Sequence, residues 1–286
     1  MSEMITIQNG TLCVTISTFG AEMQSIKCGK KEYLWGGDPA VWASHAPIMF
    51  PICGGLKEDK FEYAGREYSL TKHGFAKFSE FTVESNEGDR AVFLLTSNEE
   101  SLAKYPFDFE LRVGYTLLGN TVKVDYTVKN LTDGEMYFSA GGHEAYLCPE
   151  GIEEYELVFE KPERLTHNPL HGNLLATEPV ILGENVTHFP LRYSDFDIDA
   201  LTFLNLASRS VTLKGKDRQV RIDFEGFDYM FVWTKPKMRA GYICVEPWAG
   251  IPDFEGSSYD FTEKAGIQKL ARGEEKTLCH TITIEK

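Results

Sequence analysis

The sequence predicts an all-β protein, and three observations point to that class. Apolar and polar residues alternate in many short runs, which is typical of strands with one buried face. Helical periodicity is confined to two short stretches, and the strand–helix rhythm of a parallel, doubly wound sheet is missing. Because many antiparallel strands in one long chain must curl or stack as two sheets, we expect one sandwich-type domain over residues 1–286.

The strand signals are spread along the whole chain. The clearest alternating runs lie at residues 11–17, 122–130, 155–160, 219–226 and 277–285. Two pairs of runs are joined by short turn signals, at Asn86-Glu87-Gly88-Asp89 and at Gly119-Asn120. Each of these pairs predicts an antiparallel hairpin.

Two helices and one irregular segment complete the expected fold. Residues 38–44 and 98–105 each predict a helix of two turns at most, and Asn98 is suited to cap the second of them. Residues 161–200 contain four prolines and alternate poorly, so we expect a long irregular excursion. A plain surface loop and the border of a binding site both agree with such a segment.

Charge and composition exclude several classes of partner. The net charge of −14 repels nucleic acid and anionic membranes, so neither is an expected partner. No run approaches the roughly 20 consecutive apolar residues that span a bilayer, and the first residues do not resemble an export signal. The six cysteines are scattered singly, as reduced thiols are in a cytosolic protein. We therefore expect a cytoplasmic protein.

The familiar cofactor motifs are missing from the sequence. It contains no phosphate-binding glycine loop, no dinucleotide fingerprint, no GxSxG elbow and no HExxH pair. His167 and His171 enclose Pro169, which prevents the helical spacing of a metal-binding pair. We expect neither a cofactor nor a metal, which leaves acid–base chemistry by His, Asp and Glu.

Four segments carry the functional signal: HAPIMFPICGGL (45–56), TKHGFAKF (71–78), SAGGHEAYLCP (139–149) and GYICVEPWAGIPD (241–253). In the third, two glycines before His143 allow a close backbone approach beside the imidazole. In the fourth, an apolar strand ends in Glu246. Since burying a carboxylate costs free energy unless the group is paired or used, Glu246 is a candidate functional residue.

Together with GFDYMFVW (226–233), and in this order along the chain, these segments resemble the aldose 1-epimerase (galactose mutarotase) family, most closely its LacX-type branch. The resemblance covers residues from about 10 to 285. It implies a large antiparallel β-supersandwich with few short helices and a cleft that holds a pyranose. It also implies an isomerase that interconverts the α and β anomers of a free aldohexose, such as glucose or galactose, without a cofactor.

The resemblance further implies a role for individual residues. Glu246 matches the family's catalytic base, His143 its catalytic acid, and His73 a histidine that contacts the sugar and the developing charge. The expected substrate-binding residues are Asp228, Lys77, Phe75 and Trp248.

These residue types suit the opening of a cyclic hemiacetal. One group must take the proton of the anomeric hydroxyl while another gives a proton to the ring oxygen. A carboxylate with an ordinary pKa near 4.3 is ready as the base at neutral pH. A histidine with an ordinary pKa near 6.5 becomes the acid after a small upward shift beside a carboxylate.

The match departs from the family at two positions and leaves alternatives open. Galactose-type members carry an arginine where this chain has Leu56 followed by Lys57, and hexose-phosphate epimerases carry one at the position of Lys77. A lysine still pairs with phosphate, though without the bidentate fork of arginine. A hexose-6-phosphate 1-epimerase and a non-catalytic carbohydrate-binding protein therefore remain alternatives, and both a monomer and a homodimer remain open.

Overall fold

The computed structural model describes residues 2–285, and most of its regular structure is antiparallel strand. One α-helix, α1 (Glu99–Lys104), and a few short 3₁₀ turns accompany the strands. The prediction of an all-β class with few short helices is confirmed. In chain order the strands are β1 (Met4–Gln8), β2 (Leu12–Ser17), β3 (Met23–Cys28), β4 (Lys31–Glu32), β5 (Lys60–Tyr63), β6 (Arg66–Ser69), β7 (Thr82–Asn86), β8 (Arg90–Thr96), β9 (Phe109–Leu118), β10 (Thr121–Asn130), β11 (Met136–Phe138), β12 (Ala140–Gly141), β13 (Ala145–Leu147), β14 (Glu156–His167), β15 (Leu170–His171), β16 (Leu174–Leu175), β17 (Val180–Pro190), β18 (Leu201–Phe203), β19 (Ser210–Lys214), β20 (Gln219–Asp223), β21 (Tyr229–Trp233), β22 (Tyr242–Ala249), β23 (Gln268–Leu270) and β24 (Glu275–Glu285).

The largest sheet has nine strands in the order β17-β14-β19-β20-β24-β10-β9-β8-β7. Its strands alternate as the sequence predicts. In β10, Val122, Val124, Tyr126 and Val128 are fully buried, while the residues between them are partly exposed. This alternation gives the sheet one face that packs into the main hydrophobic core and one face that meets solvent.

A second sheet contains β12, β13, β18, β21 and β22, and β22 is buried along its whole length. Ile243 and Val245 point into the same core as the nine-stranded sheet. Cys244 and Trp248 point the other way, into two smaller apolar clusters. Because successive side chains of a strand alternate between faces, Glu246 shares the side of Cys244 and Trp248, away from the main core.

Both predicted hairpins and one predicted helix are present. β7 pairs with β8 across residues 87–89, and β9 pairs with β10 across Gly119-Asn120. The Asn98 side chain accepts a hydrogen bond from the Ser101 backbone N–H at 2.9 Å and caps α1, as expected. No helix of residues 2–285 has the length and apolar character that crossing a membrane requires.

The helix predicted at residues 38–44 is wrong, because the chain makes only a turn over residues 39–41. The Asp38 carbonyl accepts hydrogen bonds from the backbone N–H groups of Val41 and Trp42, at 2.9 and 2.8 Å. The Trp35 indole N–H then donates to the Trp42 carbonyl at 2.9 Å. The Trp35 side chain thus hydrogen-bonds to the Trp42 carbonyl, which in a continuing helix would accept from a backbone N–H. The chain leaves the turn in an extended conformation.

The irregular excursion predicted at residues 161–200 is also wrong over most of its length. β14 and β17 form a long antiparallel ladder whose register shifts three times between Val158 and Thr166. Such bulges break the two-residue alternation, and β17 is an exposed edge strand with no regular buried face. Both effects remove the pattern by which a strand is detected in a sequence. Pro162 lies in the bulged region, where a missing N–H is tolerated.

Candidate active site

A cavity of about 400 Å³ opens beside the five-stranded sheet, on the face that looks away from the main core. Its volume falls within the range of small-molecule sites. Five of the residues expected to act on or bind substrate line it, namely Glu246, His143, His73, Lys77 and Trp248. These five residues belong to three of the four signal segments, and Pro47 of the first segment also lines the cavity. The four segments, which are distant in sequence, therefore supply one common site.

Glu246 lies in β22, and only 1% of its side chain is exposed. Burial raises the pKa of its carboxyl well above the ordinary value, because an ionised carboxylate loses its hydration there. The Lys72 ammonium lowers this pKa, while the carboxylates of Glu144 and Asp199 raise it further. The site thus increases the affinity of Glu246 for a proton.

His143 lies between β12 and β13, with 10% of its side chain exposed. Its ring packs against both Trp42 and Trp233, with centroid distances of 5.3 and 5.7 Å. Burial among these rings lowers the pKa of His143 to about 3. The upward shift expected from the sequence is wrong, because desolvation of the imidazolium outweighs the favourable backbone contact.

The two groups meet inside the cavity, where His143 Nε2 lies 3.4 Å from Glu246 Oε2. Burial favours the neutral form of each group. The favoured form of the pair is therefore a protonated Glu246 carboxyl beside a neutral His143 imidazole. The alternative arrangement, a carboxylate beside an imidazolium, contains the same number of protons. In both arrangements the pair presents one proton donor and one proton acceptor to a bound molecule.

His73 adds a third, neutral group. Its Nδ1 accepts a hydrogen bond from the Gly54 backbone N–H at 3.1 Å, which places the ring proton on Nε2. Burial, followed by the nearby His143 and lysines, lowers the pKa of His73 well below the ordinary value. The ring lies 5.5 Å from that of His143 between centroids. His73 therefore offers a neutral N–H donor at the wall of the cavity.

The HAPIMFPICGGL segment holds the two histidine-bearing loops together. Met49 exchanges backbone hydrogen bonds with Gly141 at 3.0 and 3.2 Å, which fixes the approach to His143. The Phe50 carbonyl accepts from the Phe75 and Ala76 N–H groups at 3.0 and 3.1 Å. Gly74 is required at this point, since its φ is +68° and a Cβ would lie 2.3 Å from the Phe50 oxygen.

Three lysines give the cavity a cationic side, and they are Lys72, Lys77 and Lys235. Lys72 Nζ lies 3.5 Å from Asp199 Oδ2. Burial, assisted by Lys72, lowers the pKa of Lys77 to about 8. Lys77 Nζ donates to the Lys72 carbonyl at 3.1 Å and keeps further donors for a ligand.

Aromatic rings form the remaining wall. Trp248 stacks on Phe231 with a centroid distance of 3.7 Å and an interplanar angle of 13°. Trp42 and Trp233 meet edge to face at 5.4 Å beside His143. Aromatic faces next to hydrogen-bonding groups suit a ligand that has both C–H faces and hydroxyl groups.

Two expected substrate-binding residues do not line this cavity. Asp228 is exposed just before β21. Counting along the strand, it falls on the side of the core-facing Met230 and Val232, opposite to Phe231, which faces the cavity. Phe75 packs against Phe50 and its aromatic neighbours and borders a separate cleft. His73 and Gly74, the two residues before Phe75, have left-handed backbone conformations that turn the chain. The side chains of His73 and Phe75 therefore point to different sites.

Two cavity residues, Asp199 and Trp42, carry no recognisable signal in the sequence. Asp199 places a carboxylate beside Lys72 at the cavity, where Asp228 was expected to place one. It lies at the end of the segment with poor alternation, where a binding-site border was one of the two interpretations. Trp42 belongs to the turn that the sequence predicts as a helix. Neither residue stands in a motif that marks it as part of a site.

One group of possible metal ligands occurs among residues 2–285, formed by His143, Cys244 and Glu246. Their donor atoms lie within 4.8 Å of one another, whereas two ligands of one zinc ion lie roughly 3.3 to 3.7 Å apart. Burial also raises the pKa of the Cys244 thiol well above its ordinary value, which disfavours the thiolate that binds metals. This donor set therefore fits an acid–base pair backed by a neutral thiol better than a metal centre.

Comparison with known proteins identifies the family. A family model described as aldose 1-epimerase matches residues 3–278. The chain belongs to the aldose 1-epimerase family. Two relatives of this family member are the plasmid and chromosomal LacX proteins of Lactococcus lactis subsp. lactis. Each is 33% identical over 296 aligned residues, which cover 98% of this chain and 99% of the relative. The resemblance inferred from the sequence is confirmed.

Solved structures agree with this aldose 1-epimerase family assignment. A galactose mutarotase related enzyme from Lactobacillus acidophilus superposes with a TM-score of 0.94 at 31% identity, over 99% of this chain and 98% of its own. A galactose mutarotase-like protein from Lactobacillus casei ATCC 334 gives 0.94 at 29% identity, over 99% and 100%. The predicted supersandwich architecture is therefore confirmed.

Proposed function

We propose that this aldose 1-epimerase family member is an active mutarotase, which interconverts the α and β anomers of a free aldohexose such as glucose or galactose. The observation that carries the proposal is the 3.4 Å contact of His143 Nε2 with Glu246 Oε2 inside a cavity of about 400 Å³. Binding a sugar does not require a buried acid and base side by side. Ring opening requires both.

Ring opening uses one proton transfer at each oxygen of the anomeric carbon. The reacting form is the carboxylate–imidazolium pair, which the neutral pair reaches when the Glu246 proton passes to His143 across their 3.4 Å contact. The Glu246 carboxylate then takes the proton of the C1 hydroxyl, and the electron pair of that O–H bond becomes the carbonyl bond of the aldehyde. The C1–O5 bond breaks, and O5 takes a proton from the His143 imidazolium. The pair is left as a neutral acid and a neutral imidazole, which is the form that burial favours for both groups.

Ring closure reverses these steps after a rotation about the C1–C2 bond. The rotation presents the other face of the aldehyde to O5. His143 takes the proton of the O5 hydroxyl as the C1–O5 bond forms, and Glu246 returns its proton to O1. The protons and electrons balance within the pair, so the reaction consumes no co-reactant.

Other cavity residues orient the sugar for this exchange. The His73 Nε2–H group is a neutral donor to a sugar oxygen, and Asp199 is an acceptor for hydroxyl groups. The stacked Trp248 and the ring of Trp42 supply apolar surface for the C–H groups of the pyranose.

Polarimetry of freshly dissolved α-anomers tests the proposal. The wild-type protein is expected to speed the approach to rotational equilibrium for at least one free aldose in a panel that includes glucose and galactose. Acceleration of none of them would contradict the proposal. If calorimetry then showed sugar binding without turnover, the chain would be a non-catalytic carbohydrate-binding protein.

The pH–rate profile is expected to be flat around neutrality, because the pair must contain one proton. As pH falls, a second proton adds only near the lowered pKa of His143, about 3, so activity should persist well below pH 6. As pH rises, the last proton leaves only above the raised pKa of Glu246. Measured kcat from pH 4 to 9 checks this, and an acid limb near the ordinary histidine pKa of about 6.5 would contradict it.

A phosphorylated aldose is the second candidate substrate, and the three lysines at the cavity favour it. The test compares kcat/KM for glucose and glucose 6-phosphate in wild-type protein and in Lys77→Ala. For a phosphate substrate, the variant is expected to lose about tenfold or more with glucose 6-phosphate, since a charged hydrogen bond disappears, and little with glucose. Equal effects on both substrates would argue against a phosphate contact at Lys77.

A further inference from the structure

A second buried carboxylate–imidazole pair lies directly behind the first. Glu144 follows His143 in the chain, yet its side chain points into the core, where Glu144 Oε1 lies 3.1 Å from His280 Nε2. Side-chain exposure is 1% for Glu144 and 0% for His280. His280 belongs to β24 of the nine-stranded sheet, whereas Glu144 directly precedes β13 of the five-stranded sheet. The contact therefore connects the two sheets at the base of the catalytic loop.

The surroundings of this pair are polar and incompletely satisfied. In the described part of the chain, Glu144 Oε2, both ring nitrogens of His280 and the hydroxyl groups of Tyr126 and Tyr146 have no hydrogen-bond partner. The 3.1 Å approach of His280 Nε2 to Glu144 Oε1 is therefore a close contact without hydrogen-bond geometry. Buried polar atoms without partners are costly, and an apolar core of the same shape would be more stable. Stability alone therefore does not account for this arrangement behind a catalytic imidazole.

The chain also makes room for the Glu144 carboxylate. A Cβ on Gly142 would lie 2.5 Å from one Glu144 carboxylate oxygen and 2.8 Å from the Tyr126 hydroxyl. A side chain at position 142 would thus collide with the Glu144 carboxylate. The glycine before His143 is therefore needed in part to accommodate Glu144, the residue after His143. The backbone of residues 142–144 is packed from both sides, by the cavity residues and by this pair.

We propose that Glu144 and His280 are a positioning pair for the reaction: they hold the His143 loop against the nine-stranded sheet and place a second negative charge behind Glu246. This inference rests on the proposed mutarotase activity and extends it to residues that touch no substrate. Glu144 and His280 act only through His143 and Glu246.

The electrostatic part of this role has a direction. After burial itself and the opposing effect of Lys72, the Glu144 charge raises the pKa of Glu246. Glu144 also raises the pKa of Tyr126 and of Tyr146, in each case after burial. The titratable groups that face the two carboxylates are His280, Tyr115, Tyr126 and Tyr146 on the core side, and His143, Lys72, Asp199, Cys53, Cys244 and Tyr242 on the cavity side.

Glu144→Gln is the primary test, because it keeps the shape of the side chain and removes its charge. We expect kcat for the best aldose of the panel to fall about 10- to 100-fold with KM within twofold. We also expect the basic limb of the pH–rate profile to move to lower pH, since the Glu144 charge favours the protonated form of Glu246. The matched control is Glu163→Gln, a buried carboxylate outside the cavity that accepts backbone hydrogen bonds at 2.9 and 2.7 Å. It should leave the profile unchanged.

His280→Gln is the second probe, and it keeps a polar side chain next to Glu144. A fall in kcat with KM within twofold is expected here too, with circular dichroism confirming the fold. An unchanged kcat and pH profile in a folded Glu144→Gln protein would overturn the inference while leaving the mutarotase proposal intact. Loss of folding in both variants would also overturn it, because the pair would then be structural. A wild-type protein that accelerates no aldose would instead remove the proposed function on which the inference rests.

Discussion

Glu246→Gln is expected to slow catalysed mutarotation by about 10³-fold or more, with the fold intact. Glutamine keeps the shape of the side chain and its place in β22 but neither takes nor returns a proton at O1. A single positioned proton transfer contributes about 10² to 10⁴ in rate, and Glu246 would serve in both ring opening and ring closure. Polarimetry with the preferred aldose measures the effect.

The stability of this variant provides an independent check. Because burial raises the pKa of Glu246, the folded state binds the carboxyl proton more tightly than the unfolded state does. Between the unfolded and folded pKa values, that carboxyl lowers stability as pH rises. Glutamine removes this cost, so the thermal midpoint at neutral pH should be equal to or higher than that of wild type. Glu178→Gln, an exposed carboxylate, is the matched control. A Glu246→Gln protein with more than about a tenth of wild-type activity would contradict the assigned role.

His143→Ala is expected to slow the reaction by about 10² to 10³-fold, because O5 then lacks a proton donor on opening and an acceptor on closure. The substitution leaves an imidazole-sized space beside Trp42 and Trp233 that adjoins the cavity. Added imidazole should therefore restore part of the rate in this variant and none in Glu246→Gln.

The matched control for the histidine is His188→Ala, since that side chain is exposed and pairs with Glu156 outside the cavity. It should behave as wild type with and without imidazole. A His143→Ala protein that turns over at the wild-type rate would remove His143 from the mechanism. The remaining rate in each variant reports what binding and orientation contribute without the full pair.

Some of the site could be predicted because its residue types are unusual for the sequence around them. A carboxylate at the end of an apolar run and a histidine after two glycines are both unexpected in a plain core strand, and both prove to line the cavity. Strand alternation likewise predicted β10 and β24, whose inner and outer faces differ clearly in polarity. These features depend on local sequence, so a sequence alone reveals them.

Other features depend on contacts that are distant in sequence. The bulges of β14 and the exposed faces of β17 erase the alternation, so this hairpin looks irregular in the sequence. Asp199 reaches the cavity only because its loop folds beside Lys72. The direction of the His143 pKa shift follows from its burial against two tryptophans, which neighbouring residues in the chain do not determine.

The most direct test of the account is the mutarotation rate of the double variant Glu246→Gln/His143→Ala compared with each single variant. If the two side chains work as one acid–base unit, removing the second costs little once the first is gone. We expect the double variant to be within about threefold of the slower single variant. Losses that multiply, so that the double variant falls by the product of the two single effects, would show two independent groups and contradict the account.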